Sequence, residues 1–301
     1  HDELKNIDKT FQNIHAIDHV TASISEGMIF GLVGSNGAGK STLLRLISGI
    51  LKPDDGALLV DGQPAYENRE AKENICFLSD SAYFFPNATP AVMRDYYAMV
   101  YPQFDSKAFD SLAEKLDITL TRKLNTFSKG MKKQVSLLLG LCTGANKYLL
   151  CDETFDGLDP VMRQAVKSLF AAELMQRDFT PVIASHNLRE LEDICDSIGL
   201  LHKGKLLLTQ DLDQMKYHVH KIQCVLPDEA REQQLLQELT VLQYEKSGSL
   251  MLITARGTKE ALLNCVNSKA PVFAEILPLT LEEIFISETE VAGYDIKNLI
   301  L

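Results

Sequence analysis

With 301 residues, 46% hydrophobic and 24% charged, the chain has the make-up of a folded protein of about two domains, which excludes a disordered or collagen-like chain. Its net charge of −11 argues against a broad basic surface, and so against nucleic acid as a partner. No stretch reaches the ~18–20 apolar residues that a membrane-spanning helix needs, and residues 1–5 carry no apolar run of the signal-peptide kind.

Up to about residue 215, short β-branched or leucine-rich runs alternate with helical stretches, the pattern of an α/β domain. Residues 28–33 read as an apolar strand and 40–50 as a helix, with a glycine-rich turn between them. Residues 83–141 read as mostly helical and form an inserted subdomain, in which Phe104, Ala108, Phe109, Leu112 and Leu116 recur at helical spacing. Buried strands are expected at 148–151 and 181–184. Beyond 215 the texture changes: strand 221–226, helix 228–239, a hairpin of 241–245 and 250–254 about Ser247-Gly248, helix 258–268, strand 271–277 and helix 281–287. The order β-α-β-β-α-β is the ferredoxin-like one. The expected domains are therefore 1–215 and a small α+β domain at 216–301. Residues 221–301 carry seven basic and twelve acidic side chains, which does not suit a nucleic-acid arm. Cys76, Cys142, Cys151, Cys195, Cys224 and Cys265 stand apart, most among apolar neighbours. They read as reduced core residues of a cytosolic chain rather than as a disulfide or zinc framework.

The chemistry concentrates at two places. Gly34-Ser35-Asn36-Gly37-Ala38-Gly39-Lys40-Ser41 fits the phosphate-loop pattern G-x-x-x-x-G-K-[ST] and lies between an expected strand and an expected helix. Gly34, Gly37 and Gly39 let backbone amides, including those of Asn36 and Ala38, turn inward around phosphate oxygens. The helix amino end adds partial positive charge there. Lys40 supplies an ammonium for the terminal phosphates, Ser41 a hydroxyl for Mg²⁺, and Thr42 a hydroxyl for the α-phosphate. The second place is Asp152-Glu153, two acids closing an apolar strand. Strand carboxyl ends face the ligand crevice in such folds, so Asp152 can hold Mg²⁺ through water. Glu153 can reach a water in line with the γ-phosphate and act as base.

Together these motifs resemble the ATP-binding subunit of an ABC transporter, in order over residues 4 to about 215. The resemblance implies a P-loop ATPase core with an inserted helical subdomain, binding ATP with Mg²⁺. It places Phe11 where the family stacks an aromatic on adenine, although a lone aromatic also reads as core. Phe127-Ser128-Lys129-Gly130-Met131 is similar to the family's signature motif, and Phe155-Asp156-Gly157-Leu158-Asp159 to its loop after the second acid, with Asp159 at the usual aspartate. Ala184-Ser185-His186 ends where the family has its switch histidine. The implied mechanism pairs two ATP-binding subunits head to tail, identical or related. Ser128 and Gly130 of one would reach the γ-phosphate held by the other, while Glu153 orients water and His186 steadies the transition state.

Three departures stand out. Lys129 replaces a signature glycine, Met131 replaces its glutamine, and Asp80 stands where the family has a glutamine near the nucleotide. A carboxylate there can still bind Mg²⁺ or water, but adds negative charge beside ATP, which predicts altered Mg²⁺ dependence or slower turnover. The Ser-Lys-Gly-Met form resembles exporters with ABC-2-type membrane subunits, including those for bacitracin, lantibiotics and phenol-soluble modulins. That resemblance implies an integral membrane permease as partner and a peripheral place on the cytoplasmic face of the membrane. Tyr83-Phe84-Phe85-Pro86 lies where the family docks its permease, and Phe84 and Phe85 read equally as core. A non-transport ABC ATPase, remodelling or regulatory, is the alternative. The coiled-coil insertion of repair members and the double cassette of translation members are both missing from this sequence.

Overall fold

The computed structural model describes residues 2–144 and 147–291. The chain divides into two units, His1–Thr209 and Gln210–Leu301. The division precedes the expected boundary at 215 because Leu212 and Met215, on helix Leu212–His218, are buried with the second unit, where that helix meets strand Val219–Val225 and helix Leu281–Val291.

The first unit is built on a six-stranded sheet. Its strands lie in the order Lys205–Asp211, Ser197–His202, Phe30–Val33, Thr180–Ser185, Tyr148–Asp152 and Ile75–Leu78. Phe30–Val33, Thr180–Ser185 and Tyr148–Asp152 are buried along their whole length, as suits parallel strands covered on both faces, and hence read as unbroken apolar runs. Their register sets up the chemistry. Val33 pairs with Ser185, and Ala184 with Asp152, so Gly34, Glu153 and His186 all emerge at one carboxyl edge.

Helix Lys40–Ile47 lies between this sheet and a second, antiparallel one, and buries Leu43, Leu44, Leu46 and Ile47. It stops short of the expected residue 50. Gly49 adopts φ +67°, and a Cβ there would sit 2.2 Å from the Ala65 carbonyl oxygen. The antiparallel sheet runs Ile14–Ile24, Asp2–Phe11, Asp55–Val60, Gln63–Pro64 and contributes Leu4, Ile7, Ile17, Val20, Leu58 and Val60 to the same core. None of its strands was expected.

The 83–141 region holds three helices, Pro90–Val100, Ser106–Lys115 and Lys129–Leu141, around Phe109, Ala113, Phe127, Val135, Leu138 and Leu139. Each starts on a side-chain cap: Thr89, Asp105 and Ser128 accept from the amide three residues on. Residues 83–89 are not helical. Phe84 and Phe85 are half-buried against this core, while Tyr83 is 76% exposed.

The second unit follows the order strand Val219–Val225, helix Glu229–Glu238, strands Thr240–Ser247 and Leu250–Arg256, helix Lys259–Asn267, strand Phe273–Leu277, helix Leu281–Val291. Its sheet is ordered Thr240–Ser247, Leu250–Arg256, Val219–Val225, Phe273–Leu277, with every neighbour antiparallel. Met251, Ile253 and Ala255 alternate inward onto Leu235, Leu262 and Val266. Among the described residues no helix is long and apolar enough to cross a membrane. All six cysteines are free thiols; all but Cys265 are buried, and burial pushes the thiols of Cys76, Cys142 and Cys151 up to about 12.

Candidate functional site

The glycine-rich turn leaves strand Phe30–Val33 and closes on Gly39, whose φ of +110° starts helix Lys40–Ile47. Side chains are excluded there sterically. A Cβ at Gly34 would lie 2.3 Å from the Leu201 carbonyl oxygen and one at Gly39 2.5 Å from that of Ala16, whereas Gly37, at φ +80°, faces open space. The turn borders a cleft of about 540 Å³ lined by Asn36, Gly37, Gly39, Lys40, Ser41 and Thr42, by Phe11, Ile14, His15 and Ala16 on one side, and by Glu153 and Lys203. Gly34 and Ala38 do not line it. The Gly34 amide donates to the Ser185 carbonyl at 3.4 Å and the Ala38 amide to that of Ser35 at 3.0 Å. Phe11 is 41% exposed, and Lys9 Nζ stands 5.4 Å from its ring centroid. Phe11 is thus a surface aromatic at the cleft and not core.

Lys40 is buried and donates to the carbonyls of Gly34 (2.7 Å) and Ser35 (3.2 Å), and its Nζ lies 3.1 Å from Glu153 Oε1. Ser41 Oγ donates to Asp152 Oδ1 at 2.9 Å. A hydroxyl beside a buried carboxylate at a helix amino end is a hard-oxygen donor set, which suits Mg²⁺. Burial raises the Asp152 carboxyl above its ordinary value; the Ser41 bond pulls the other way and the neighbouring Glu153 adds to the rise.

Glu153 adopts φ +52°, a left-handed conformation costing about 1–3 kcal/mol in a non-glycine residue. Its amide is tied to the Ala184 carbonyl at 3.0 Å. His186 Nδ1 lies 2.8 Å from Glu153 Oε2 and 2.9 Å from Asp156 Oδ2. Burial pushes the Glu153 carboxyl up, but hydrogen bonds from Asp156, His186 and Lys40 more than offset this and hold it low. Asp156 goes the opposite way: burial, then the carboxylates of Glu153 and Glu190, raise it. The two neighbouring acids are thus pushed in opposite directions, Glu153 down and Asp156 up.

The remaining expected residues lie off the cleft. Ser128 caps helix Lys129–Leu141, accepting from the Met131 amide at 3.2 Å, and Gly130 lies beside the Gly157 carbonyl. Asp159 caps helix Pro160–Gln176, accepting from the Met162 amide at 2.9 Å. Asp80 is ion-paired, its Oδ1 2.9 Å from Lys133 Nζ and 3.7 Å from Lys129 Nζ. Sequence reasoning missed Asp156, Lys203 and Lys133. Asp156 sits inside the loop after the second acid, so it was within reach; Lys133 is one of two adjacent lysines after the signature and only its burial distinguishes it.

Comparison with known proteins adds an independent line. The ABC transporter family profile matches residues 17–156. The ABC transporter ATP-binding protein YtrB of Bacillus subtilis is 32% identical over 286 residues, spanning 95% of this chain and 97% of that protein. The bacitracin transport ATP-binding protein BcrA of Bacillus licheniformis is 29% identical over 70% of each chain. Among solved structures, the dimeric post-hydrolysis state of the ATP-binding cassette MJ0796 bound to ADP and Pi superposes with a TM-score of 0.63 at 21% identity. That match covers 70% of this chain and 99% of that one.

Proposed function

Since the chain belongs to the ATP-binding subunits of ABC transporters, we propose that it hydrolyses ATP in a head-to-tail dimer and so powers export through a separate ABC-2-type membrane subunit. The observation that carries the hydrolytic reading is Glu153, which lines the phosphate-loop cleft and is held between Lys40 and His186.

The phosphate-loop amides and Lys40 bind the phosphates, and Phe11 stacks on the base. Ser41 and Asp152 would hold Mg²⁺, which would withdraw charge from the phosphate oxygens. Phosphates drawing Lys40 towards themselves take it from Glu153, removing one of the partners that keep that carboxyl low. Glu153 then becomes the better base for an in-line water, with His186 fixing its orientation. Ser128 and Gly130, exposed or partly so at a helix amino end, are the surface a second subunit presents to the γ-phosphate. Asp159 acts here as a helix cap that shapes the loop after Glu153.

Export, and a peptide cargo in particular, rests on the Ser-Lys-Gly-Met signature and on the likeness to a bacitracin transport protein. Tyr83, with Val92, Tyr96 and Met99 on the helix that follows, forms an exposed apolar patch suited to a permease. Affinity purification from native membranes in mild detergent tests this. A polytopic partner near one to one supports it; cytosolic partners alone would replace it with a remodelling ATPase.

A further inference from the structure

Lys133 is 2% exposed, yet it lines no part of the cleft and no role above uses it. It stands one turn after Lys129 on helix Lys129–Leu141, so both lysines share a face. Its ammonium makes two contacts. It donates to the Glu153 backbone carbonyl, and it lies 2.9 Å from Asp80 Oδ1.

A buried ammonium needs a counter-charge. Asp80 supplies it from the segment after strand Ile75–Leu78, with Lys129 at 3.7 Å on the same oxygen. A neutral glutamine at position 80 would leave Lys133 uncompensated. Asp80 and Lys133 therefore explain each other, the Asp80 charge being answered by Lys133 and Lys129.

The second contact falls on the peptide that matters most. Glu153 adopts the left-handed conformation, and its carboxylate faces Lys40 and His186. Its amide is fixed by Ala184 and its carbonyl by Lys133, so the strained residue is pinned at both ends. We infer that Lys133, braced by Asp80, is a positioning residue for ATP hydrolysis that holds the Glu153 backbone in its working conformation.

The inference rests on the hydrolytic reading proposed above. The test is steady-state ATPase kinetics beside binding of a fluorescent ATP analogue. Lys133→Met is expected to lower kcat by about 10²-fold, the scale of a reacting group misplaced by an ångström, with KM and analogue affinity unchanged. Lys133→Arg, which keeps a donor and a charge, should recover much of that loss. Asp80→Asn should lower kcat less than Lys133→Met, and the double variant should be no worse than Lys133→Met alone. A purely structural lysine would lower the melting temperature and leave kcat of the folded protein intact. Wild-type kcat in folded Lys133→Met overturns the inference. If that variant does not fold, wild-type kcat in folded Asp80→Asn overturns it instead. A wild-type chain without ATPase activity would sink the hydrolytic reading and this inference together.

Discussion

The two units of this chain bury charge in different ways. In the first, Lys40, Lys133, Asp152 and Glu190 are all buried. With Glu153, Asp156 and His186 they form linked contacts, in which Glu153 faces both Lys40 and His186, and His186 faces both Glu153 and Asp156. In the second, the buried charges among the described residues are Glu232 and Lys269, paired with Lys246 and Glu238 respectively. A single satisfied pair costs little and adds little. Linked groups whose protonation states push one another apart are the arrangement chemistry needs. The second unit is held by an apolar sheet–helix core, and the first sets reactive groups on top of one.

Substitutions can break this contrast. The largest expected effect is Glu153→Gln, which removes the base and should cut kcat by about 10²–10⁴-fold with the fold intact, as read by phosphate release and thermal melting. Ile253→Ala should do the reverse. It opens a cavity in the second unit at a cost of about 2–5 kcal/mol in unfolding free energy, while nucleotide affinity stays unchanged. If it weakens nucleotide binding instead, the two units are energetically coupled and the contrast fails. Phe11→Ala should weaken ATP binding by about 1–3 kcal/mol, the worth of a base–aromatic stack, with kcat preserved at saturation.

A smaller effect concerns acid. Burial raises the Asp61 carboxyl, but bonds from Lys147 and from the Tyr148 hydroxyl, each 2.7 Å, bring it below its usual 3.8. A depressed folded value contributes stability that is present above the unfolded value and lost as pH falls through the folded one. The melting temperature of the wild type should therefore drop more steeply than that of Asp61→Asn as the solution is taken below about pH 5. Parallel curves would remove this ion pair from the account.

How much of this was legible in the sequence follows from the range of each interaction. The phosphate loop is local: its glycines, lysine and serine lie within eight residues, so spacing alone identifies it. The second unit was readable because short apolar runs such as 250–253 are separated by helical stretches and turn residues mark its hairpin. The antiparallel sheet at 2–64 was not. Its two long strands carry many charges, and the register shifts along them, with Asn6 and His19 at φ near +50° in the irregular stretches, break the two-residue alternation. The Lys133–Asp80 and His186–Asp156 contacts join residues 53 and 30 positions apart, and only the folded sheet edge brings them together. Sequence placed Asp80 beside the nucleotide by analogy with a glutamine; its pairing with the buried Lys133 could not be read there.

The central claim is that ATP is held and hydrolysed between two ATP-binding subunits, with Glu153 as base. Light scattering on the Glu153→Gln variant tests it most directly, since a chain that binds ATP but cannot cleave it should accumulate in the closed pair. The account predicts a dimer with Mg²⁺-ATP and a monomer with ADP. A monomer under both conditions would contradict a dimer of identical chains, and a dimer indifferent to the nucleotide would contradict closure by ATP.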